Sequence, residues 1–281
     1  MEIIYTIYAI FAAVIGLVVG SFLNVCIARL PIYRSIVPRS ACPKCGSGIA
    51  WYDNIPVLSW CLLRGACRNC HGSISPAYPL IELLMGCLAS LLFFRLIPDA
   101  EALDVAHLTA WIIYLGFFGS LVVACYTDIR HRIIPDETSL YAIPAALLCA
   151  ALLDQVGYTG WPAPGLRQAV WGVAVGGGFL GATGLAARLV YGPDALGMGD
   201  IKLVAAIGGF LGALPAVIAV LLGASLLGAL TGIIALLWMR RRVYAPFGPA
   251  LAIASILYVL AGDTLLPRVL PGLAMWLRDG G

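Results

Sequence analysis

Long apolar segments separated by short polar stretches dominate the pattern of this chain. Eight such segments can be delimited, and they lie at Ile3–Ala28, Leu80–Ile97, Leu108–Thr127, Thr138–Leu153, Ala169–Tyr191, Ile201–Leu214, Pro215–Met239 and Ala250–Leu266. Roughly 20 apolar residues in a helix cross the hydrocarbon core of a bilayer. The pattern therefore predicts an all-α polytopic membrane protein with about eight transmembrane helices. The sixth segment is short, and one long kinked helix is the alternative if Gly212 and Pro215 do not separate it from the seventh.

Composition agrees with the membrane class. Apolar residues make up 62% of the 281 residues, charged residues only 11%, and the mean hydropathy is +0.97. A soluble domain carries roughly 25% charged residues. The chain also contains 32 glycines, and small residues allow transmembrane helices to approach closely. We expect Gly16 and Gly20, which share one face of the first segment, to pack against another helix.

The distribution of basic residues predicts the orientation, because Lys and Arg accumulate on the cytoplasmic side of a membrane. Alternate loops contain 13 of the 17 basic residues: Arg29, Arg34, Arg39, Lys44, Arg64, Arg68, Arg130, Arg132, Arg188, Lys202, Arg240, Arg241 and Arg242. We therefore expect these loops in the cytoplasm and both termini on the other side. The first segment is too long for a cleaved signal sequence and lacks a basic residue before it, so we expect it to be retained.

The loop at residues 29–79 contains two cysteine pairs, Cys42/Cys45 and Cys67/Cys70, with 21 residues between them. Two Cys-x-x-Cys pairs can supply four thiolates to one tetrahedral zinc ion. Disulfides are the alternative, but they are rare in the reducing cytoplasm. We predict a small zinc-ribbon-like cytoplasmic domain with structural zinc. Cys61 is a possible additional thiol, and His71 could replace one ligand.

Two aspartates occupy matching positions at the ends of apolar segments. Asp128 ends the third segment and Asp200 begins the sixth, so the predicted topology places both at the cytoplasmic face. Acids near hydrocarbon are costly and often functional. Two adjacent carboxyl groups can share one proton, so that one polarises a carbonyl group while the other activates water. The alternative is that each aspartate is simply a polar residue at a helix end.

Four further residues surround these aspartates in the sequence. Gly197 and Gly199 precede Asp200, and we expect them to free the backbone so that it can position the carboxylate or accept an extended substrate. Asp136 follows a proline before the fourth segment, and a role as N-cap is the simpler interpretation. Lys202 could contact lipid phosphate or tune the two acids. We include all four as candidate support for the catalytic loop.

Seven sequence elements, in order, carry a resemblance to a known family. They are Gly20-Ser21-Phe22-Leu23-Asn24-Val25 with Arg29-Leu30-Pro31, Pro38-Arg39-Ser40 with the first cysteine pair, Asn54-Ile55-Pro56 with Leu58-Ser59-Trp60, the second cysteine pair, Tyr78-Pro79-Leu80-Ile81-Glu82, Asp128 with Ile134-Pro135-Asp136, and Gly197-Met198-Gly199-Asp200-Ile201-Lys202. On these elements the chain resembles the type IV prepilin peptidases, which are bifunctional leader peptidases and N-methyltransferases. The resemblance covers nearly the whole chain.

The resemblance implies a specific activity. Enzymes of this family cleave the basic leader of type IV prepilins or pseudopilins, which serve pilus assembly and type II secretion, at the cytoplasmic membrane face. They then methylate the new amino terminus with S-adenosylmethionine. It implies that Asp128 and Asp200 are the catalytic pair of an intramembrane aspartic protease, in the bacterial inner membrane. It also divides the chain into a first helix (1–28), a methylation-associated cysteine domain (29–79) and a peptidase domain (80–281).

The methyl-donor site is not identifiable from the sequence. No Rossmann-type glycine fingerprint is present. Asn24, Asn54 and Glu82 are polar groups in or near the apolar segments, and they could contact the donor or the amine, or dock the loop. Membrane lipid is an expected partner, and nucleic acid is not.

Two other functions remain open from the residues alone. A proton- or ion-coupled transporter would also place aspartates in glycine-interrupted helices. A zinc-stabilised assembly factor could bind precursors without processing them.

Overall fold

The structure is a computed structural model that describes residues 2–192, 197–239 and 246–269. These residues form nine α-helices and three short 3₁₀ turns: α1 (Glu2–Arg29), α2 (Leu58–Leu62), α3 (Ala77–Leu96), α4 (Val105–His131), α5 (Ala142–Gln155), α6 (Leu166–Tyr191), α7 (Met198–Leu211), α8 (Ala216–Met239) and α9 (Gly248–Val269). The prediction of an all-α protein is therefore confirmed. The chain divides into two compact units, Met1–Gly119 and Ser120–Gly281.

Within the described ranges, seven helices are long and apolar enough to cross a membrane, and they correspond to seven of the eight predicted segments. The predicted sixth segment is a separate helix, α7, as expected. It ends at Gly212, which has φ +88°, and α8 begins after Pro215. Its 14 residues give a length of about 21 Å, which is less than the thickness of a hydrocarbon core. The predicted basic cluster at 240–242 lies outside the described residues.

In the first unit, α1 and α3 pack face to face through small residues. A Cβ added to Gly16 would lie 2.5 Å from the Cβ of Ala89, and one added to Gly20 would lie 2.7 Å from the Cα of Glu82. Only glycine permits this backbone approach, so the expected packing role of the two glycines is confirmed.

The loop between α1 and α3 is organised by hydrogen bonds because it buries few apolar side chains. Arg68 forms a bidentate pair with Asp53, with N–O distances of 2.6 and 2.8 Å, and its guanidinium holds the pKa of Asp53 below its usual value. Val57 has a positive φ of 61° with ψ −51°, which is unfavourable for a β-branched residue. Its amide donates a 2.7 Å hydrogen bond to the buried Glu82 carboxylate. The carboxylate therefore fixes the strained turn of the loop onto α3.

In the second unit, α7 is the central helix. All nine residues from Leu203 to Leu211 are buried, and α7 contacts α5, α6, α8 and α9. Glycines bring α6 into backbone contact with α7, since a Cβ on Gly172 would overlap the Gly208 carbonyl and one on Gly176 would lie 2.7 Å from the Val204 oxygen. A short helix surrounded in this way gives Asp200, in its first turn, a rigid support.

Candidate active site and metal centre

Asp128 lies in the last turn of α4 and is buried. Its Oδ2 accepts a 2.9 Å hydrogen bond from the backbone amide of Gly248, the first residue of α9. The positive charge of Arg132, just beyond the end of α4, also acts on this carboxylate. A buried carboxylate requires such partners, because burial without them disfavours the charged form.

Asp200 lies in the first turn of α7, where the free amides and the helix dipole favour an acid. Its side chain is half-buried. The structure places Asp128 and Asp200 in the same unit, close enough for the negative charge of one to act on the other. The sequence separates these residues by 72 positions, so their proximity is a product of the tertiary structure.

The two glycines near Asp200 are needed because they lack a side chain, and not because their backbone conformations are unusual. Gly197 has φ −67° and ψ 129°, which any residue can adopt. A Cβ on Gly197 would lie 2.9 Å from Oδ2 of Asp200, and a Cβ on Gly199 would lie 3.1 Å from the Cβ of Ile134. The expectation that these glycines free the backbone is therefore replaced by a steric explanation: they let the carboxylate and Ile134 come close.

Asp136 and Lys202 form an ion pair with an Nζ–Oδ1 distance of 2.8 Å. Asp136 does not cap the following helix, because α5 begins at Ala142 after Tyr141 and the Asp136 carboxylate makes no capping hydrogen bond. The N-cap interpretation of Asp136 is thus wrong. Instead, the pair ties the segment after α4 to the first turns of α7, and so links the two stretches that carry the aspartates.

The four predicted metal ligands come together in the first unit. The Sγ atoms of Cys42, Cys45, Cys67 and Cys70, here called the four-cysteine cluster, all lie within 4.8 Å of one another. The Cys42 and Cys70 sulfurs are 3.8 Å apart. A tetrahedral zinc with Zn–S bonds of about 2.3 Å requires S–S distances of about 3.8 Å. The donor set therefore fits a tetrahedral, thiolate-preferring ion.

The two halves of the four-cysteine cluster have the same backbone fold. In the first half, the Cys42 amide donates to the Ser47 carbonyl and the Gly46 amide donates to the Cys42 carbonyl. In the second half, the Cys67 amide donates to the Gly72 carbonyl and the His71 amide donates to the Cys67 carbonyl. Gly46 and His71 both have positive φ at this turn. His71 is thus a turn residue, and within the described residues neither it nor Cys61 belongs to the cluster.

The thiols of the four-cysteine cluster differ in their pKa values. A hydrogen bond with the Ser47 hydroxyl, whose oxygen lies 2.7 Å from Sγ, lowers the pKa of Cys45 to about 6. At Cys70 a backbone hydrogen bond from Gly72 lowers the pKa, but desolvation and the neighbouring thiols outweigh it and raise it to about 11. Four thiolates cannot share so small a space without a cation, since each raises the cost of ionising the next.

The three polar residues considered for the methyl donor have different environments. The Asn24 side chain donates to the Tyr78 carbonyl at 3.1 Å, and Glu82 accepts from Val57, so both support the backbone. Asn54 is exposed beside a groove of about 330 Å³, which is lined by Val18, Ser21, Phe22, Val25, Ile36, Pro38, Arg39, Ser40, Asn54 and Pro56.

Gly248 is a site residue that the sequence did not reveal. The available signal was a glycine between two prolines, in Pro246-Phe247-Gly248-Pro249, directly before an apolar segment. That pattern marks a helix start, but it does not show which side chain the free amide contacts.

Comparisons with known proteins give matches over most of the chain. Residues 14–96 match a bacterial peptidase A24 N-terminal domain, and residues 112–233 match the type IV leader peptidase family. A Myxococcus xanthus prepilin leader peptidase/N-methyltransferase is 41% identical over 82% of the chain and 64% of its own length. An Aeromonas salmonicida protein of the same name is 37% identical over 89% of each chain. An Escherichia coli type 4 prepilin-like proteins leader peptide-processing enzyme is 36% identical over 88% of this chain. No solved structure matches.

Proposed function

Because this chain belongs to the type IV leader peptidase family, we propose that it is a multi-pass membrane enzyme that cleaves the leader of prepilin-like precursors and methylates the new amino terminus. The observation that supports a peptidase is the proximity of Asp128 and Asp200. They lie in one unit but come from helices that are far apart in the sequence. The comparisons give no support to the alternative of a transporter.

The two carboxyl groups supply the chemistry of peptide hydrolysis. With one proton between them, the ionised group takes a proton from water as its oxygen attacks the scissile carbonyl carbon. The protonated group gives its proton to the carbonyl oxygen. As the resulting diol collapses, the first group gives the proton that it took from water to the leaving nitrogen, and the C–N bond breaks. The second group, now ionised, takes a proton from a diol hydroxyl, so the shared proton is restored. Gly197, Gly199 and the Asp136–Lys202 pair position Asp200 for this step.

The substrate we propose is a membrane-inserted prepilin or pseudopilin with a short basic leader followed by an apolar helix. Both aspartates lie at helix ends, where a peptide bond between a polar leader and an apolar helix would be found. The basic loops support an orientation with this end, together with the four-cysteine cluster, on the cytoplasmic side of the inner membrane. We keep residues 29–79 as the methylation-associated domain and residues 80–281 as the peptidase domain.

The metal we propose for the four-cysteine cluster is structural zinc. The donor set and the 3.8 Å sulfur separation support zinc over the harder cations, which prefer oxygen ligands. Bound zinc would stabilise a loop that lacks a hydrophobic core of its own.

The methyl donor we propose is S-adenosylmethionine, and the groove beside Asn54 is the place that we propose for it. Its volume of about 330 Å³ falls in the range of small-molecule sites. Among the described residues the side chains of Arg39 and Asn54 have no hydrogen-bond partner, so Arg39 could hold a carboxylate. Equilibrium dialysis with the radiolabelled donor should show binding that Arg39→Ala weakens about tenfold or more.

Mass spectrometry of a purified precursor tests the whole proposal. The precursor is incubated with the enzyme in lipid nanodiscs, with and without S-adenosylmethionine. We expect a shortened product without the donor and the same product plus one methyl group with it. Asp200→Asn should abolish the cut, whereas Glu137→Gln, an exposed acid in the same unit, should not. Full cleavage by Asp200→Asn would refute the mechanism.

A further inference from the structure

The two catalytic carboxyl groups have unequal surroundings. Asp128 accepts a buried hydrogen bond from the Gly248 amide at 2.9 Å. Among the described residues, no donor reaches the Asp200 carboxylate. Both groups lie near a helix N-terminus, that of α9 for Asp128 and that of α7 for Asp200. Within the described part of the chain, only Asp128 receives one of the free amides directly.

The Gly248 amide is available because of its place in the helix. The first amides of an α-helix have no partner within the helix, and the summed dipoles give that end a partial positive charge. The first intrahelical bond near this end runs from the Leu251 amide to the Phe247 carbonyl. The Gly248 amide can therefore point at Asp128. This matters because Asp128 lies at the C-terminal end of α4, whose own dipole disfavours an anion.

Glycine is the only residue that fits at this position without displacing the acid. A Cβ on Gly248 would lie 2.6 Å from Oδ2 of Asp128 and 3.2 Å from its Cβ and Cγ. A side chain there would push the carboxylate away from the amide. The contact thus depends on the residue type at 248 as well as on the path of the backbone.

We propose that Gly248 is a positioning residue that gives the two acids different roles in hydrolysis. This inference rests on the proposed peptidase activity. Its amide stabilises the Asp128 anion, so Asp128 is the base that removes the proton from the attacking water. Asp200, without such a donor, carries the shared proton and gives it to the carbonyl oxygen. Among the described residues, the charged groups that act on Asp128 are Arg132 beyond α4 and Asp200 from α7, and the Cys125 thiol on α4 is a titratable neighbour.

The experiment compares glycine substitutions in purified enzyme. Gly248→Ala should lower kcat for cleavage about a hundredfold, since a misplacement of about 1 Å can cost that factor, and leave KM within about twofold. Gly232→Ala is the matched control, because a Cβ there meets nothing within 4 Å; it should cleave at the wild-type rate. Methylation of a pre-cleaved substrate, unchanged in both variants, shows that the enzyme is folded.

A second variant removes the donor without adding atoms. Replacing the Gly248 amide by an ester, through incorporation of glycolic acid, exchanges the N–H for an oxygen. We expect a tenfold to hundredfold lower kcat, because this is the factor that corresponds to the free energy of one hydrogen bond to a charged group. The acidic limb of the pH profile should move to higher pH, because the Asp128 anion loses its stabilising donor.

Three results separate the possible failures. Wild-type kcat in the ester variant would overturn the inference, as would a shift confined to the alkaline limb, which would make Asp128 the proton carrier. If the wild-type enzyme itself cut no precursor, the proposed function would fail before the inference was tested.

Discussion

The contact between α6 and α7 gives a prediction about a residue that is not one of the catalytic groups. Gly172→Ala adds one methyl group where the backbones of the two helices touch. The new Cβ would lie 2.5 Å from the Gly208 carbonyl carbon and 2.8 Å from the Gly212 carbonyl carbon. Ordinary carbon–carbon contacts are about 3.5–4.0 Å. Neither backbone atom can rotate away, so the helices must separate by about 1 Å.

Two consequences follow from a separation of that size. Overpacking of a buried site costs about 1–3 kcal/mol, and we expect the upper end because backbone meets backbone. In addition, α7 is short and enclosed, so it moves as a rigid body and carries Asp200 with it. A misplacement of about 1 Å at a catalytic group can lower a rate about a hundredfold. Gly172→Ala should therefore lose both stability and cleavage.

The assay pairs this variant with Gly178→Ala on the same helix, where a Cβ meets nothing within 4 Å. Thermal unfolding in nanodiscs and the cleavage rate of a precursor are measured for both. Gly178→Ala should be as stable as the wild type or slightly more, because alanine has the higher helix propensity. Equal unfolding temperatures and equal rates for the two variants would refute the argument from helix contact.

Three further predictions concern individual contacts. Gly197→Ala should lower kcat for cleavage at least tenfold while leaving the unfolding temperature unchanged, because among the described residues its Cβ meets only the Asp200 carboxylate; a wild-type rate would contradict this. Stripping metal from the four-cysteine cluster with a strong chelator should unfold the loop and abolish methylation, monitored by metal content and limited proteolysis; a loop that stays protease-resistant without metal would show that the ion is dispensable. Glu82→Ala should raise hydrogen exchange at the Val57 amide, whereas Glu82→Gln, which keeps an acceptor, should raise it less.

The sequence was informative where the physics is local or compositional. Apolar length predicts each membrane helix, because every backbone group in hydrocarbon must be satisfied within its own segment. The Cys-x-x-Cys spacing predicts the metal ligands, because each pair closes a short turn that needs no distant partner. The break between α7 and α8 could likewise be predicted at Gly212 and Pro215.

The geometry of the proposed catalytic site was only partly predictable. Matching positions at helix ends indicated that Asp128 and Asp200 could meet, but not what would contact them. The role of Asp136 was mistaken, since a pattern of proline and aspartate resembles a helix cap and does not reveal Lys202, which lies 66 positions away.

Beyond its first turns α7 is apolar on all sides, so its sequence carries little information about which face meets which neighbour. The choice is made by close contacts between small residues, such as Gly172 on Gly208, and these depend on the whole arrangement of helices. The sequence alone thus determined the class of protein, its helices and the candidate site residues. The tertiary structure decided that α9 begins beside Asp128, because a hydrogen bond across 120 residues exists only once the helices have packed.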